Sequence, residues 1–82
     1  MSLDTLEFYQ RLTELLQQRR AFAVAHVVEV RGSGPQAVGA KMIVFPEGTF
    51  EFTVGGGPFE AMVLRDAVAA IESGVSTCKE YR

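Results

Sequence analysis

Two glycine-rich stretches concentrate the chemistry that the 82-residue sequence can offer. Gly55-Gly56-Gly57 stands between a segment of period two and a segment of helical periodicity, so it reads as a strand-to-helix turn. A helix amino terminus carries unpaired N–H groups and partial positive charge, and glycines let the backbone meet an anion with no Cβ in the way. Pro58 removes one donor. The N–H groups of Phe59 and Glu60 remain, and with Gly55, Gly56 and Gly57 they would form an anion-accepting nest. Three successive glycines exceed what one tight turn requires. The competing reading is a turn that needs positive φ, with Glu60 serving only to satisfy the helix dipole.

The second stretch, Gly32-Ser33-Gly34-Pro35-Gln36-Ala37, fits G-x-G-x-x-A directly after a strand. A dinucleotide fingerprint must open a helix whose amino end holds the pyrophosphate. Here Pro35 intervenes and the residues after Gly39 have strand composition, so a strand-to-strand loop is the better account. Ser33 and Lys41 would supply side-chain contacts to a ligand at the turns, Lys41 because it sits between two core-facing residues. His26, alone on an apolar face, reads as a satisfied core residue, and Cys78 has no neighbouring base or cation to activate it. Ser-His-Asp sets, paired catalytic carboxylates and P-loops are not in register. The residues point to a binding role and not to an enzyme.

The elements that must hold these turns are legible from periodicity. Leu3 to Arg20 reads as a helix, with Phe8, Tyr9, Leu12, Leu15 and Leu16 on one stripe and Asp4 with Glu7 resembling a capping box. Ala21 to Arg31 alternates, and both faces are apolar until Glu29, which implies a central strand covered on both sides. Ala40 to Phe45 and Thr49 to Val54 form a hairpin around Pro46-Glu47-Gly48, with Phe50, Phe52 and Val54 on one face. A second helix starts at Pro58, buries Phe59, Met62, Val63, Ala67, Ala70 and Ile71, and ends at Gly74. The tail from Val75 to Arg82 alternates weakly, as a fourth strand would. The expected fold is a small α/β (α+β) single-sheet domain over residues 1–82, of order α-β-β-β-α-(β), with helices packed on the sheet.

Composition narrows the class. Apolar residues make up 48% of the chain against 22% charged, a globular balance. A net charge of -2 argues against a nucleic-acid domain. No run approaches the roughly 20 apolar residues that span a bilayer, so no membrane role is implied and a cytoplasmic location is the simple expectation. One cysteine excludes an internal disulfide, and with one histidine it cannot build a zinc quartet. So short a chain has little core, which favours a homo-oligomer or docking on a second domain.

Taken together, the two glycine stretches resemble a known family. Gly32-Ser33-Gly34-Pro35 followed by Gly39-Ala40-Lys41-Met42 is similar to the Gly-Ser-x-Pro…Gly-Ala-Lys-Met segment of the xanthine dehydrogenase accessory (XdhC/CoxI) family. Thr53-Val54-Gly55-Gly56-Gly57-Pro58-Phe59-Glu60 looks like its Thr-(Val/Ile)-Ser-Gly-Gly-Cys-Val-Glu segment. The resemblance covers the family's amino-terminal domain and lacks its Rossmann-like companion. It implies an accessory protein that binds molybdenum cofactor (molybdopterin) and helps insert it into a molybdenum hydroxylase apo-enzyme such as xanthine dehydrogenase. Three positions depart from the pattern: Pro58 replaces the cysteine, Gly55 the serine, and Gln36 an arginine. Those losses motivate the alternative, a non-catalytic oligomerisation or protein-interaction module that has lost cofactor handling.

Overall fold

The computed structural model describes residues 3–32 and 37–81. Helix α1 spans Leu3–Gln17, strand β1 Ala23–His26, β2 Lys41–Val44, β3 Phe50–Thr53, and helix α2 Gly57–Ser73. The strands form one antiparallel sheet in the order β1-β2-β3. The α+β class and the α-β-β-β-α order agree with the sequence reading.

Strand β2 organises the core. Met42 and Val44 turn toward α2, while Ile43 and Phe45 turn toward α1, and none of the four is more than 3% exposed. A strand buried on both faces is a continuous apolar run, and this is the one the fold uses as its centre. The sequence reading gave that place to the segment from Ala21 to Arg31. Instead β1 is an edge strand of four residues. A short hairpin turn joins β3 to one side of β2, and β1 pairs antiparallel with the other side, which puts β2 in the middle. Ala25 and Val27 of the first segment pack toward α2, whereas Val24 and Val28 stay 43% and 63% exposed. His26 is exposed too and is not a core residue.

The narrow sheet also thins the stripe of α1. Phe8 and Leu15 are buried against Ile43 and Phe45, with Leu12 and Phe22 beside them, but Tyr9 and Leu16 remain exposed. Each fully buried side chain of this size contributes about 1.5–3 kcal/mol. Helix α1 ends at Gln17, short of Arg20, and Asp4 lies inside its first turn. A two-pronged bond fastens α1 to β3: Arg11 Nε donates to Glu51 Oε1 at 2.7 Å and Arg11 Nη2 to Glu51 Oε2 at 2.9 Å. The guanidinium holds the Glu51 carboxyl below the usual range.

Strand β3 departs from simple alternation. Phe50, Phe52 and Val54 do not share one face, because Phe52 has φ 65, in the left-handed region. Its ring stands edge-on to Phe8 at 5.1 Å, while Val54 is buried in the α2 cluster and Phe50 is 42% exposed. Holding a bulky residue there costs on the order of 1–3 kcal/mol, which the packing of the Phe52 ring against both core clusters offsets.

Helix α2 buries Val63 and packs Phe59, Leu64, Ala67, Val68 and Ile71 on the sheet, so Met62 and Ala70 fall outside the stripe and Leu64 and Val68 join it. Gly74 ends it in the left-handed conformation, its N–H donating to Ala70 O, as expected of a glycine cap. Residues 75–81 form no strand. They run back beside α2, where the Tyr81 hydroxyl donates to Asp66 Oδ2 at 2.6 Å and its ring stands edge-on to Phe59 at 5.4 Å. Burial, reinforced by Asp66, pushes the Tyr81 phenol up to about 12, and the same bond lowers the Asp66 carboxyl.

Candidate functional site at the glycine turn

The turn between β3 and α2 is closed from inside by two side chains of the chain itself. One carboxylate oxygen of Glu60, Oε2, accepts hydrogen bonds from the Thr53 hydroxyl, from Val54 N at 3.2 Å and from Gly56 N at 3.1 Å. The Thr53 hydroxyl oxygen accepts in turn from Gly55 N at 3.0 Å. The Glu60 amide donates to Gly56 O at 3.3 Å. The Thr53 bond, helped by the Gly56 and Val54 amides, holds the Glu60 carboxyl below its usual range against the opposing effect of burial.

This geometry accounts for the glycines. Gly55, Gly56 and Gly57 have φ 128, 78 and 65, so all three occupy backbone that L side chains avoid. The number of glycines therefore follows from conformation, where the sequence reading took it to exceed the needs of a turn. Gly56, the N-cap, pairs φ 78 with ψ -171, a region essentially reserved for glycine. A Cβ built on Gly56 or Gly57 would meet nothing within 4 Å, so the outer side of the turn is open.

The β2–β3 register sets Lys41 opposite Thr53, the residue whose hydroxyl bonds into the turn. The Lys41 ammonium donates to Gly39 O at 2.9 Å and lies 5.8 Å from the Phe8 ring centre and 6.0 Å from that of Tyr9. A shallow cleft between the first turn of α1 and the hairpin gathers Asp4, Phe8, Gly39, Lys41, Phe52 and Thr53. Of the residues singled out from sequence, Gly55, Gly56, Gly57 and Glu60 share the turn, where the Glu60 amide expected to be a free donor is bonded to Gly56 O, and Lys41 lines the cleft with Thr53. Phe59 sits beside them in sequence, but its ring packs inward with Tyr81 and Val63's cluster. Ser33 lies outside the described residues. Thr53 was missed as a functional position, and the signal for it was its place seven residues before Glu60 across a glycine turn. Among the described residues, no three His, Cys, Asp or Glu side chains gather as metal ligands.

The sequence profile of the XdhC and CoxI family matches residues 15–82, most of the chain. The chain belongs to the XdhC and CoxI family. An uncharacterised protein of Escherichia coli strain K12, YqeB, is 31% identical over 67 residues, which cover 82% of this chain and 12% of YqeB. The chain thus spans a small part of the length of that relative. No solved structure gives a significant match. Both motifs that resembled the XdhC and CoxI family lie within the matched residues, and the second is the segment whose Thr and Glu close the turn. Among the described residues no helix is long and apolar enough to cross a membrane.

Proposed function

We propose that this chain is a cofactor-handling accessory domain that binds molybdenum cofactor and assists its insertion into a molybdenum hydroxylase apo-enzyme. Family membership supports the accessory role. The observation that supports a ligand site is Lys41 and Thr53 lining one cleft, with Thr53 also bonded into the glycine turn, whose Gly56 and Gly57 are open on their outer side.

The residues present fit an anionic, ring-bearing group in part. Lys41 offers positive charge, Phe8 and Phe52 offer an aromatic wall, and no Cβ guards Gly56 or Gly57. The Val54 and Gly56 amides, however, already bond Glu60, and its carboxylate repels a phosphate at that point. Lys41, the outer side of Gly55-Gly56-Gly57, the Phe59 amide and Ser33 would therefore hold the cofactor, while Glu60 keeps the turn in shape. The bound group would supply molybdenum and its pterin for transfer. With Pro58 at the motif's cysteine position, thiol chemistry is not assigned to this turn. The partners in this reading are the apo-enzyme and a Rossmann-like companion domain.

Titration of molybdenum cofactor, or its pterin phosphate, against the wild-type chain, Lys41→Met and Gly56→Val tests the site, with circular dichroism to verify folding. Weaker binding by folded Lys41→Met is expected. Equal binding by all three, or none by the wild type, overturns it. A second reading, an interaction module without cofactor handling, is favoured by Glu60 filling the turn. In that case Gly55–Gly57 would be covered by a protein partner, and amide exchange there would slow on association without any cofactor.

A further inference from the structure

The first turn of α2, which carries Glu60, is lightly fastened at its own end. Gly56 caps the helix with no side-chain bond, and Pro58 brings no N–H. The opening helical bond, from the Glu60 amide to Gly56 O, is 3.3 Å long. What anchors this turn on the sheet is Phe59, whose ring packs on the cluster of Met42, Val44, Val54 and Val63.

The tail reaches the same turn from outside. At the helical rise Phe59 lies about 21 Å from Ser73, and the seven residues 75–81 span about 23 Å when extended, so the tail returns to Phe59 only by running extended. Residues 75–80 are exposed, and Tyr81 is the one described tail residue that packs on the α2 cluster. Its ring stands edge-on to Phe59 at 5.4 Å, and its hydroxyl donates to Asp66 Oδ2 at 2.6 Å. Phe59 and Asp66 are seven residues apart, two turns along one face of α2, so a single side chain bridges them. Lys79 Nζ also lies 3.4 Å from Asp66 Oδ1, and Arg31 Nη1 lies 3.6 Å from Glu80 Oε1. Both cations are exposed, so these pairs hold weakly and the attachment rests on Tyr81.

We propose that residues 75–81 are a strap whose latch, Tyr81, holds Phe59 and through it the first turn of α2, so that Glu60 stays seated in the glycine turn. Tyr81 is then a positioning residue, acting through Phe59 on hydrogen bonds it does not touch. Releasing the strap loosens the turn and leaves the sheet intact. This does not rest on the cofactor reading.

Hydrogen exchange read residue by residue on the 82-residue chain tests it. The reporters are the Val54 and Gly56 amides, which donate to Glu60, and the reference is the set of protected amides in β2. Tyr81→Ala should quicken both reporters at least about tenfold relative to β2. Tyr81→Phe keeps the ring and should fall between Tyr81→Ala and the wild type. Asp66→Ala removes the acceptor of the hydroxyl from outside both core clusters, and it should quicken the reporters even if Tyr81→Ala fails to fold. In the same variants the Glu60 carboxyl, followed by carbon NMR, should titrate closer to an ordinary glutamate. Leu12→Ala, which loosens the cluster on the other face of the sheet, should leave the ratio of reporters to β2 at its wild-type value. Reporters as well protected in Tyr81→Ala and Asp66→Ala as in the wild type overturn the proposal. So does a quickening shared equally by β2, the mark of a general stabiliser.

Discussion

Replacing Gly56 by alanine isolates what the turn demands of its backbone. The residue sits at φ 78 and ψ -171, and a Cβ there meets no atom within 4 Å. Steric contact therefore contributes nothing, and the Gly56 N–H can still reach Glu60. What remains is backbone strain, on the order of 1–3 kcal/mol for L-alanine in this region. For a domain of this size each kcal/mol lowers the melting temperature by about 4–8 °C. Urea unfolding followed by circular dichroism would show the loss as a lower midpoint at unchanged slope. A chemically synthesised chain with D-alanine at position 56 provides the control. Its mirror-image preference matches the observed angles, so it should be near wild type in stability. The reasoning is refuted if L-alanine costs less than about 0.5 kcal/mol or if D-alanine costs as much as L-alanine.

Glu60 predicts a pH dependence of definite sign. Its folded carboxyl lies below the ordinary glutamate value, chiefly through Thr53, so its stabilisation is fully present above that ordinary value and disappears as pH falls through the folded one. Glu60→Gln should flatten the stability profile in that acidic window, and carbon NMR of the Glu60 carboxyl should titrate below a model glutamate. Ile43→Ala removes a fully buried side chain from the central strand and should cost about 2–5 kcal/mol, enough to unfold much of so small a domain, as circular dichroism would show. Tyr81→Phe keeps the ring against Phe59 but loses the bond to Asp66. Ultraviolet titration should lose the phenol step near 12, and proteolysis after Lys79 should quicken while the melting temperature changes little.

The sequence conveys element type better than element place. Both helices, all three strands and the Gly74 cap follow from periodicity and turn residues, because those signals are local. Which strand is central is a matter of pairing, and the apolar runs at 21–28 and 42–45 look alike until β1 and β3 pair with the two edges of β2. A fourth strand was expected from alternation in the tail, but Tyr81 binds the tail to α2 through Asp66 and Phe59, contacts that no two-residue pattern encodes. The left-handed Phe52 is equally silent in sequence, since nothing marks an aromatic residue for that conformation. At the candidate site the glycines and Lys41 were found by residue type. The closure by Thr53 and Glu60 depends on how the turn folds back over seven positions.

That closure changes what the motif can be asked to do. An open nest binds an anion at no internal cost, whereas this turn already holds a carboxylate on two amides and a hydroxyl. An incoming phosphate must displace Glu60 or bind beside it at Lys41, and the two routes respond oppositely to one substitution. If the carboxylate must be displaced, Glu60→Gln removes a competing charge and strengthens anion binding. If Glu60 only holds the turn open toward Lys41, the same change loosens the turn and weakens binding, and Lys41→Met weakens it further. Comparing the two variants on inorganic phosphate and on pterin phosphate separates the routes. A chain whose Glu60→Gln and Lys41→Met variants bind both probes as the wild type does has its ligand chemistry elsewhere.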